Sequence, residues 1–422
     1  MMNLYKIIFI LIFLLSNLWE IFLYNLNLKY SLKQNKIPDI FKDTINEEEF
    51  KKSKNYLKDK TKFVITELII KTIITLTGLI YLFPLFENKA HEMVSSPNNK
   101  FIIFTKDLTQ ILIFVLFLGV LYFLSDLPFD IVNTFYLEKK YGFSKITIKT
   151  YVLDKIKTII LIFILGFFLL LGFYKIVFTF NYWFIILSIF IIVVIFLINI
   201  IYPSLILPLF YKFEKLKDEN LRKRIEDIVK KVDLKFENIY VINASSRSLH
   251  TNAFFSGIGK VKKIVFYDTL INNHTEDEII SVFAHELGHY KKGHIVKSFF
   301  LSSIMVFVFI FLINFLKNST FINSLYNNTF AISLPFVYSI IFIFSFSNIV
   351  ELITNTISRK FESESDRYAV ELTNKEGMIE SLKKLVKVNL SNLTPHPLYS
   401  KFKYTHPPPV ERIEMVLKIN KP

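Results

Sequence analysis

The chain has 422 residues, is 52% apolar, contains 46 Phe and no Cys, and carries a formal net charge of +15. So apolar a composition excludes an ordinary soluble domain and points to several membrane spans, while the missing thiols exclude disulfides and thiolate metal sites. The positive charge is spread over polar loops with no compact basic domain, so it reads as contact with anionic lipid and cytoplasmic exposure, not as nucleic-acid binding.

Seven stretches approach the roughly 20 apolar residues that a bilayer core requires. The first five are Ile7 to Tyr24, Val64 to Phe83, Leu108 to Leu127, Thr158 to Phe178 and Trp183 to Ile206. The first carries Trp19 and Glu20 and has no small-residue cleavage site, so it reads as a retained span and not as a signal peptide. Glu20, Glu67, Lys71, Lys175 and Glu351 fall within spans, where ionisable groups are costly and face a bundle interior or water. Glu67 and Lys71, four residues apart, can pair along one helix. The loops after spans one and three are rich in lysine, from Lys29 to Lys62 and from Lys139 to Lys157, whereas the opposite loops hold Lys89, Lys100 and Lys106, then Lys317. By the positive-inside rule the lysine-rich side is cytoplasmic.

Two polar regions belong to that side. In the first, Tyr211 to Lys297, the run Lys263 to Tyr267 reads as a strand and Asn252 to Phe255 as an edge strand before it. An extended peptide can add to such an edge through backbone hydrogen bonds, with Asn252 offering its side-chain amide. Next comes His285-Glu286-Leu287-Gly288-His289, preceded by a capping box (Thr275 with Glu278) and by Ile279, Ile280, Phe283, Ala284 and Leu287 at helical spacing. Positions i and i+4 share a helix face, so both imidazoles can reach one tetrahedral zinc, with Glu286 placed to take a proton from an activated water.

Spans six and seven follow, Phe299 to Leu316 and Ile332 to Ile353, joined by a loop with the sequons Asn318-Ser319-Thr320 and Asn327-Asn328-Thr329 that is expected to be lumenal. A catalytic zinc needs a third protein ligand. The metzincin pattern would need Gly at 292 and His at 295, where this chain has Lys292 and Ile295. The second polar region, Thr354 to Pro422, offers Glu362, with Asp366 on the same helix face to orient a ligand imidazole. Glu364 points elsewhere, so its removal is expected to leave the metal in place. His406 precedes Pro407, Pro408 and Pro409, which stiffen the chain, and its ring N–H can bond a developing oxyanion. His294 has no role fixed by spacing.

These residues, in this order, resemble the type I CAAX prenyl proteases, integral-membrane zinc metalloproteases that process farnesylated proteins. The likeness runs from Phe50-Lys51-Lys52-Ser53 through Leu127-Pro128-Phe129, Asn133-Thr134-Phe135, Tyr141-Gly142-Phe143 and Pro208-Leu209-Phe210 to Asn252-Ala253-Phe254-Phe255-Ser256-Gly257. It continues through the zinc helix, Ser358-Arg359-Lys360-Phe361-Glu362 and His406-Pro407-Pro408 with Glu411-Arg412. Phe254 stands where the family has Tyr, and Ser363-Glu364-Ser365 where it has a more apolar spacer.

The resemblance implies a mainly α, multi-pass membrane protein: seven transmembrane helices around a water-filled chamber, capped by a cytoplasmic α+β zincin-like catalytic domain. The division would be 1–210 for helices one to five with their cytoplasmic loops, 211–297 for the first catalytic part, 298–353 for helices six and seven, and 354–422 for the second catalytic part. It implies one Zn2+ on His285, His289 and Glu362, Glu286 as general base, His406 stabilising the tetrahedral intermediate with Arg412 nearby, and Asn252, Ala253 and Phe254 holding substrate. The expected activity is removal of the C-terminal tripeptide from prenylated CaaX proteins, with a second upstream cleavage also open. The expected setting is the endoplasmic reticulum membrane, with the inner nuclear membrane as a second location, and a monomer. The alternatives are a heat-shock-type membrane quality-control protease, which shares HExxH and the later Glu but not seven spans or the His406 run, and an inactive membrane scaffold, against which the intact ligands and base argue. A site-two-type intramembrane protease would need an Asp-Gly ligand, and the chain has no Asp-Gly.

Overall fold

The computed structural model describes residues 3–96, 104–233, 238–256, 263–326, 328 and 330–419. In a bilayer every backbone polar group must be satisfied within the chain, and the apolar stretches accordingly form long helices. These are α1 (Leu4–Lys33), α2 (Glu47–Thr77), α3 (Phe83–Ser95), α4 (Lys106–Val132), α5 (Ile148–Thr179) and α6 (Trp183–Ile201). A π-helical turn, Gly78–Leu82, carries α2 into α3 as one continuous rod. Six helical segments, including the later α10 (His294–Lys317), are individually long and apolar enough to span. The seventh expected span is not continuous. It consists of α11 (Leu334–Phe344) and α12 (Ser347–Leu372), bent by 54° at their junction. There Ser345 turns its hydroxyl back onto the Ile341 carbonyl, a bond that competes with the helix ladder and favours a bend.

Helices of a solid bundle each bury an apolar stripe. In α5 only Tyr151 is buried. Its later turns pack Phe173, Ile176 and Val177, partly buried, against Trp183 and Leu187 of α6.

Four of the five ionisable groups expected within spans, Glu20, Glu67, Lys71 and Glu351, form ion pairs. Lys71 bonds Glu67 at 2.7 Å and Asp126 of α4 at 2.9 Å. Glu20 and Glu351 both reach Lys403 of α14 (Pro397–Lys403), the second at 2.6 Å. Lys175 is exposed. Between α10 and α11, Ser319 of the first sequon caps a short helical turn by accepting from the Ile322 N–H at 3.2 Å; positions 327 and 329 of the second lie outside the described residues.

The polar regions form one body. Strands β1 (Phe213–Lys215), β2 (Asn238–Ile242), β3 (Ala253–Ser256) and β4 (Lys263–Tyr267) make a sheet of order β1-β2-β4-β3, with β2 and β4 parallel and the other pairs antiparallel. One face of the sheet packs on α7 (Glu219–Lys231) and α9 (Glu276–Lys291) through Ile225, Phe266, Phe283 and Leu287; a short α8 (Asp268–Asn273) links β4 to α9. A second core joins Ala284 of α9 to Val370 of α12, Leu382 of α13 (Lys375–Val388), Ile413 of α15 (Pro409–Leu417), Ile37 and Phe41 from the loop after α1, and Phe50 from the first turn of α2. The loop after α4 also joins, since the Leu249 N–H donates to the Phe143 carbonyl at 2.9 Å and the Lys145 N–H to that of Arg247 at 3.0 Å. Segments that follow the first, third, fifth and seventh apolar stretches therefore meet in one body.

A candidate metal centre in a peptide-sized cleft

Helix α9 begins as its sequence dictates: Thr275 Oγ1 accepts from the Glu278 N–H, and Glu278 Oε2 accepts from the Thr275 N–H at 2.9 Å. Its crossing with α12 is unusually close. A Cβ on Gly288 would lie 2.9 Å from the Ser365 Cα, so the glycine inside the HELGH run is what lets α12 approach. Gly288→Ala should force the helices apart at a cost of about 1–3 kcal/mol and impair metal retention, to be read by thermal unfolding and metal content.

The close crossing brings three ligand atoms together. His285 Nε2 and His289 Nε2 are 3.2 Å apart, and they lie 3.3 Å and 3.2 Å from the two carboxylate oxygens of Glu362. A tetrahedral ion with bonds of about 2.0–2.1 Å spaces its ligands about 3.3–3.4 Å apart, and the three residues each offer one atom within 4.8 Å of the others. Glu362 is 5% exposed, and its Oε2 is buried without a hydrogen-bond donor. An acceptor left so is costly, and a cation at the triangle would satisfy it. Donor types, spacing and this orphaned oxygen all fit a metal ion.

The surroundings hold the ligands in place. His285 Nδ1–H donates to Asp366 Oδ1 at 2.7 Å, and Arg412 clamps Asp366 with Nε at 2.6 Å and Nη2 at 2.7 Å. Burial alone would raise the Asp366 carboxyl, but Arg412 and His285 outweigh it and hold it down at about 2. Glu362 is likewise kept well below the carboxylate range: burial opposes ionisation, and the two histidines and Arg412 overcome it. Arg412 Nη2 is 3.4 Å from Glu362 Oε2. Its fork is thus committed to two acids, which spacing could not reveal.

Glu286 lines the adjoining cleft, and burial pushes its carboxyl up, towards the range useful for taking a proton. His406 faces the open side; its ring is 55% exposed, with Nε2 3.3 Å from Glu362 Oε1 and Nδ1 2.9 Å from Thr405 Oγ1. The cleft holds about 570 Å³ and is lined by His285 and Glu286 together with Asn252, Ala253, Leu382, Leu385, Tyr404 and His406.

Strand β3 ends the sheet, so its outer edge is unpaired among the described strands. Ala253 faces α9 within the core below the cleft. The expected part of Phe254 in holding a peptide narrows to its backbone. Successive side chains on a strand point to opposite faces, and that of Phe254 packs with Ile242, Val265 and Tyr267 on the face away from α9. Only its backbone is available to a peptide. Asn252 reaches the cleft, but its Oδ1 accepts from the Ala253 N–H at 2.8 Å, so its amide is partly engaged locally. Gly257 of the same motif lies outside the described residues. His294, which spacing left without a role, is 2% exposed and touches His289.

Two histidines and a glutamate on crossing helices, with a buried carboxylate at the mouth of a cleft and a multi-pass body beneath, define a membrane metallopeptidase. Residues 27–212 match the model of the CAAX prenyl protease N-terminal region with its five membrane helices, and residues 215–420 that of peptidase family M48. CAAX prenyl protease 1 of Saccharomyces cerevisiae is 33% identical over 90% of this chain and 88% of its own length. The probable CAAX prenyl protease 1 of Schizosaccharomyces pombe is 32% identical over 94% and 85%. The crystal structure of S. mikatae Ste24p superposes with a TM-score of 0.89, covering 98% of this chain and 99% of that one at 31% identity. The chain belongs to the M48 peptidases, within the CAAX prenyl protease 1 family.

Proposed function

We propose that this protein is a zinc endopeptidase that removes the C-terminal tripeptide from prenylated CaaX proteins, with a second upstream cleavage open to the same cleft. The observation that carries the reading is the triangle of His285, His289 and Glu362 with Glu286 at its side, in a cleft bounded by a free strand edge. A donor set of two imidazoles and one carboxylate with an open position suits zinc, which when bound would polarise the scissile carbonyl and acidify water. Glu286 takes the proton of the attacking water and delivers it to the leaving amine. His406 donates to the oxyanion as it develops. Arg412 acts through Asp366 and Glu362, holding both in their ionised forms. The backbone of β3 receives the peptide as an added strand, a mode tolerant of sequence.

The lysine-rich loops assign the catalytic body to the cytoplasm, which suits an endoplasmic reticulum protease whose substrates carry a lipid in the bilayer and a tail in water. The division into two membrane parts and two catalytic parts is proposed on the same basis. Purified protein incubated with a farnesylated CaaX peptide should release the terminal tripeptide, and a chelator should stop it; no release, or release indifferent to chelation, overturns the proposal.

Asn252→Ala separates two roles for that residue. If its amide serves the peptide, cleavage falls by about tenfold or more with zinc content and thermal stability retained. Cleavage at the parent rate, or failure through unfolding alone, shows that Asn252 only secures the start of β3.

A further inference from the structure

We infer that His294 and Glu364 form a relay that orients and polarises the metal ligand His289, an inference that rests on the metal site proposed above. The two ligand histidines are supported unequally. His285 meets a carboxylate directly, through the 2.7 Å bond to Asp366. His289 meets none at its Nδ1, which lies 3.1 Å from His294 Nδ1, while His294 Nε2 lies 3.0 Å from Glu364 Oε2. Only one placement of protons satisfies this row once His289 Nε2 faces a cation. His289 Nδ1–H donates to His294 Nδ1, and His294 Nε2–H donates to Glu364. The carboxylate charge is thus passed to His289 through a neutral imidazole.

The arrangement is held from several directions. Gly293, at φ +68° in the left-handed region that favours glycine, turns the chain between α9 and α10 so that His294 folds back on His289. Phe361 stacks flat on the His294 ring, with centroids 4.2 Å apart and planes 10° apart, and Ser365 Oγ sits 3.4 Å from its Nδ1. His294 is almost fully buried, whereas the Glu364 side chain is 35% exposed, so the relay runs from the metal site to the surface. His294, Glu364, Phe361 and Ser365 all lie outside the three ligands and the base, and neither His294 nor Glu364 lines the cleft. They are positioning residues. Hydrogen-bonded partners of metal ligands commonly contribute about 10–100-fold to metal affinity. The expectation that Glu364 can be removed without effect on the metal is revised accordingly.

The test is zinc affinity of the full-length protein, measured by competition with a chelator, together with the visible spectrum of the Co2+-substituted protein. Glu364→Gln should weaken zinc by about tenfold and shift the cobalt bands, with unfolding of the metal-free protein unchanged. His294→Ala should weaken zinc by about 10–100-fold, and the double variant should be no worse than His294→Ala, because Glu364 acts only through His294. Zinc affinity and cobalt bands of Glu364→Gln equal to the parent's would overturn the relay, as would losses that add in the double variant. Should His294→Ala fail to fold, Glu364→Gln decides alone. A parent protein that binds zinc but cuts no prenylated peptide would overturn the proposed function and leave this inference standing.

Discussion

Glu286→Ala should abolish peptide cleavage and leave metal content at the parent level. The carboxylate lies beside the triangle of His285, His289 and Glu362 but supplies none of its corners. Removing it takes away the group that accepts and returns the proton, an effect of about 10²–10⁴-fold for general acid–base catalysis. Because Glu286 stands partly buried with its carboxyl pushed up, the alanine also relieves a desolvation cost, so the variant should be at least as stable as the parent. Turnover, zinc content and unfolding temperature measured on one preparation check all three. Metal lost together with activity would show that Glu286 is a ligand and not the base.

Glu362→Ala should give the opposite pattern, with zinc lost first and activity lost as a consequence. The triangle keeps two imidazoles, but the surroundings were built around a negative charge. Arg412 Nη2 at 3.4 Å and His406 Nε2 at 3.3 Å both face the carboxylate that would be gone. Two nitrogen ligands with a guanidinium beside them repel a cation, and affinity should fall by several orders of magnitude. Equilibrium dialysis against zinc checks this, and retention of stoichiometric zinc by Glu362→Ala would assign the third corner to another residue. Asp366→Asn should fall between parent and Glu362→Ala, since it weakens the support of His285 without removing a ligand.

Much of this site was legible because its parts obey local rules. The i, i+4 histidines, the capping box at Thr275 and the face shared by Glu362 and Asp366 all follow from helix geometry. The parity of the spans also placed Tyr211 to Lys297 and Thr354 to Pro422 together before any contact was known. What spacing could not supply was tertiary. The relay from His289 through His294 to Glu364 depends on a turn at Gly293 and on the approach of α12, neither of which has a periodic signature. Lys403, which neutralises Glu20 and Glu351 from opposite ends of the chain, is likewise invisible to local pattern. The motif also could not show that the Phe254 side chain turns from the cleft, because it names neighbours on the chain, and on a strand neighbours face opposite ways. The broken seventh span reads as continuous by hydropathy because Ser345 and Ser347 interrupt it without charge.

The second core has a bearing on how the protein is made. Its side chains come from Ile37, Phe41 and Phe50, which leave the ribosome early, and from Val370, Leu382 and Ile413, which leave it last. That core is complete only when the intervening crossings have been made and the late helices meet the early segment. During synthesis the early segment must wait with its apolar residues uncovered, and any chain halted before α12 would lack both the core and Glu362. The proposed metal site could therefore be assembled only after α12, with Glu362, has been made. A product that ends before α12 would lack the third corner of the proposed site, and so the means of cutting its neighbours.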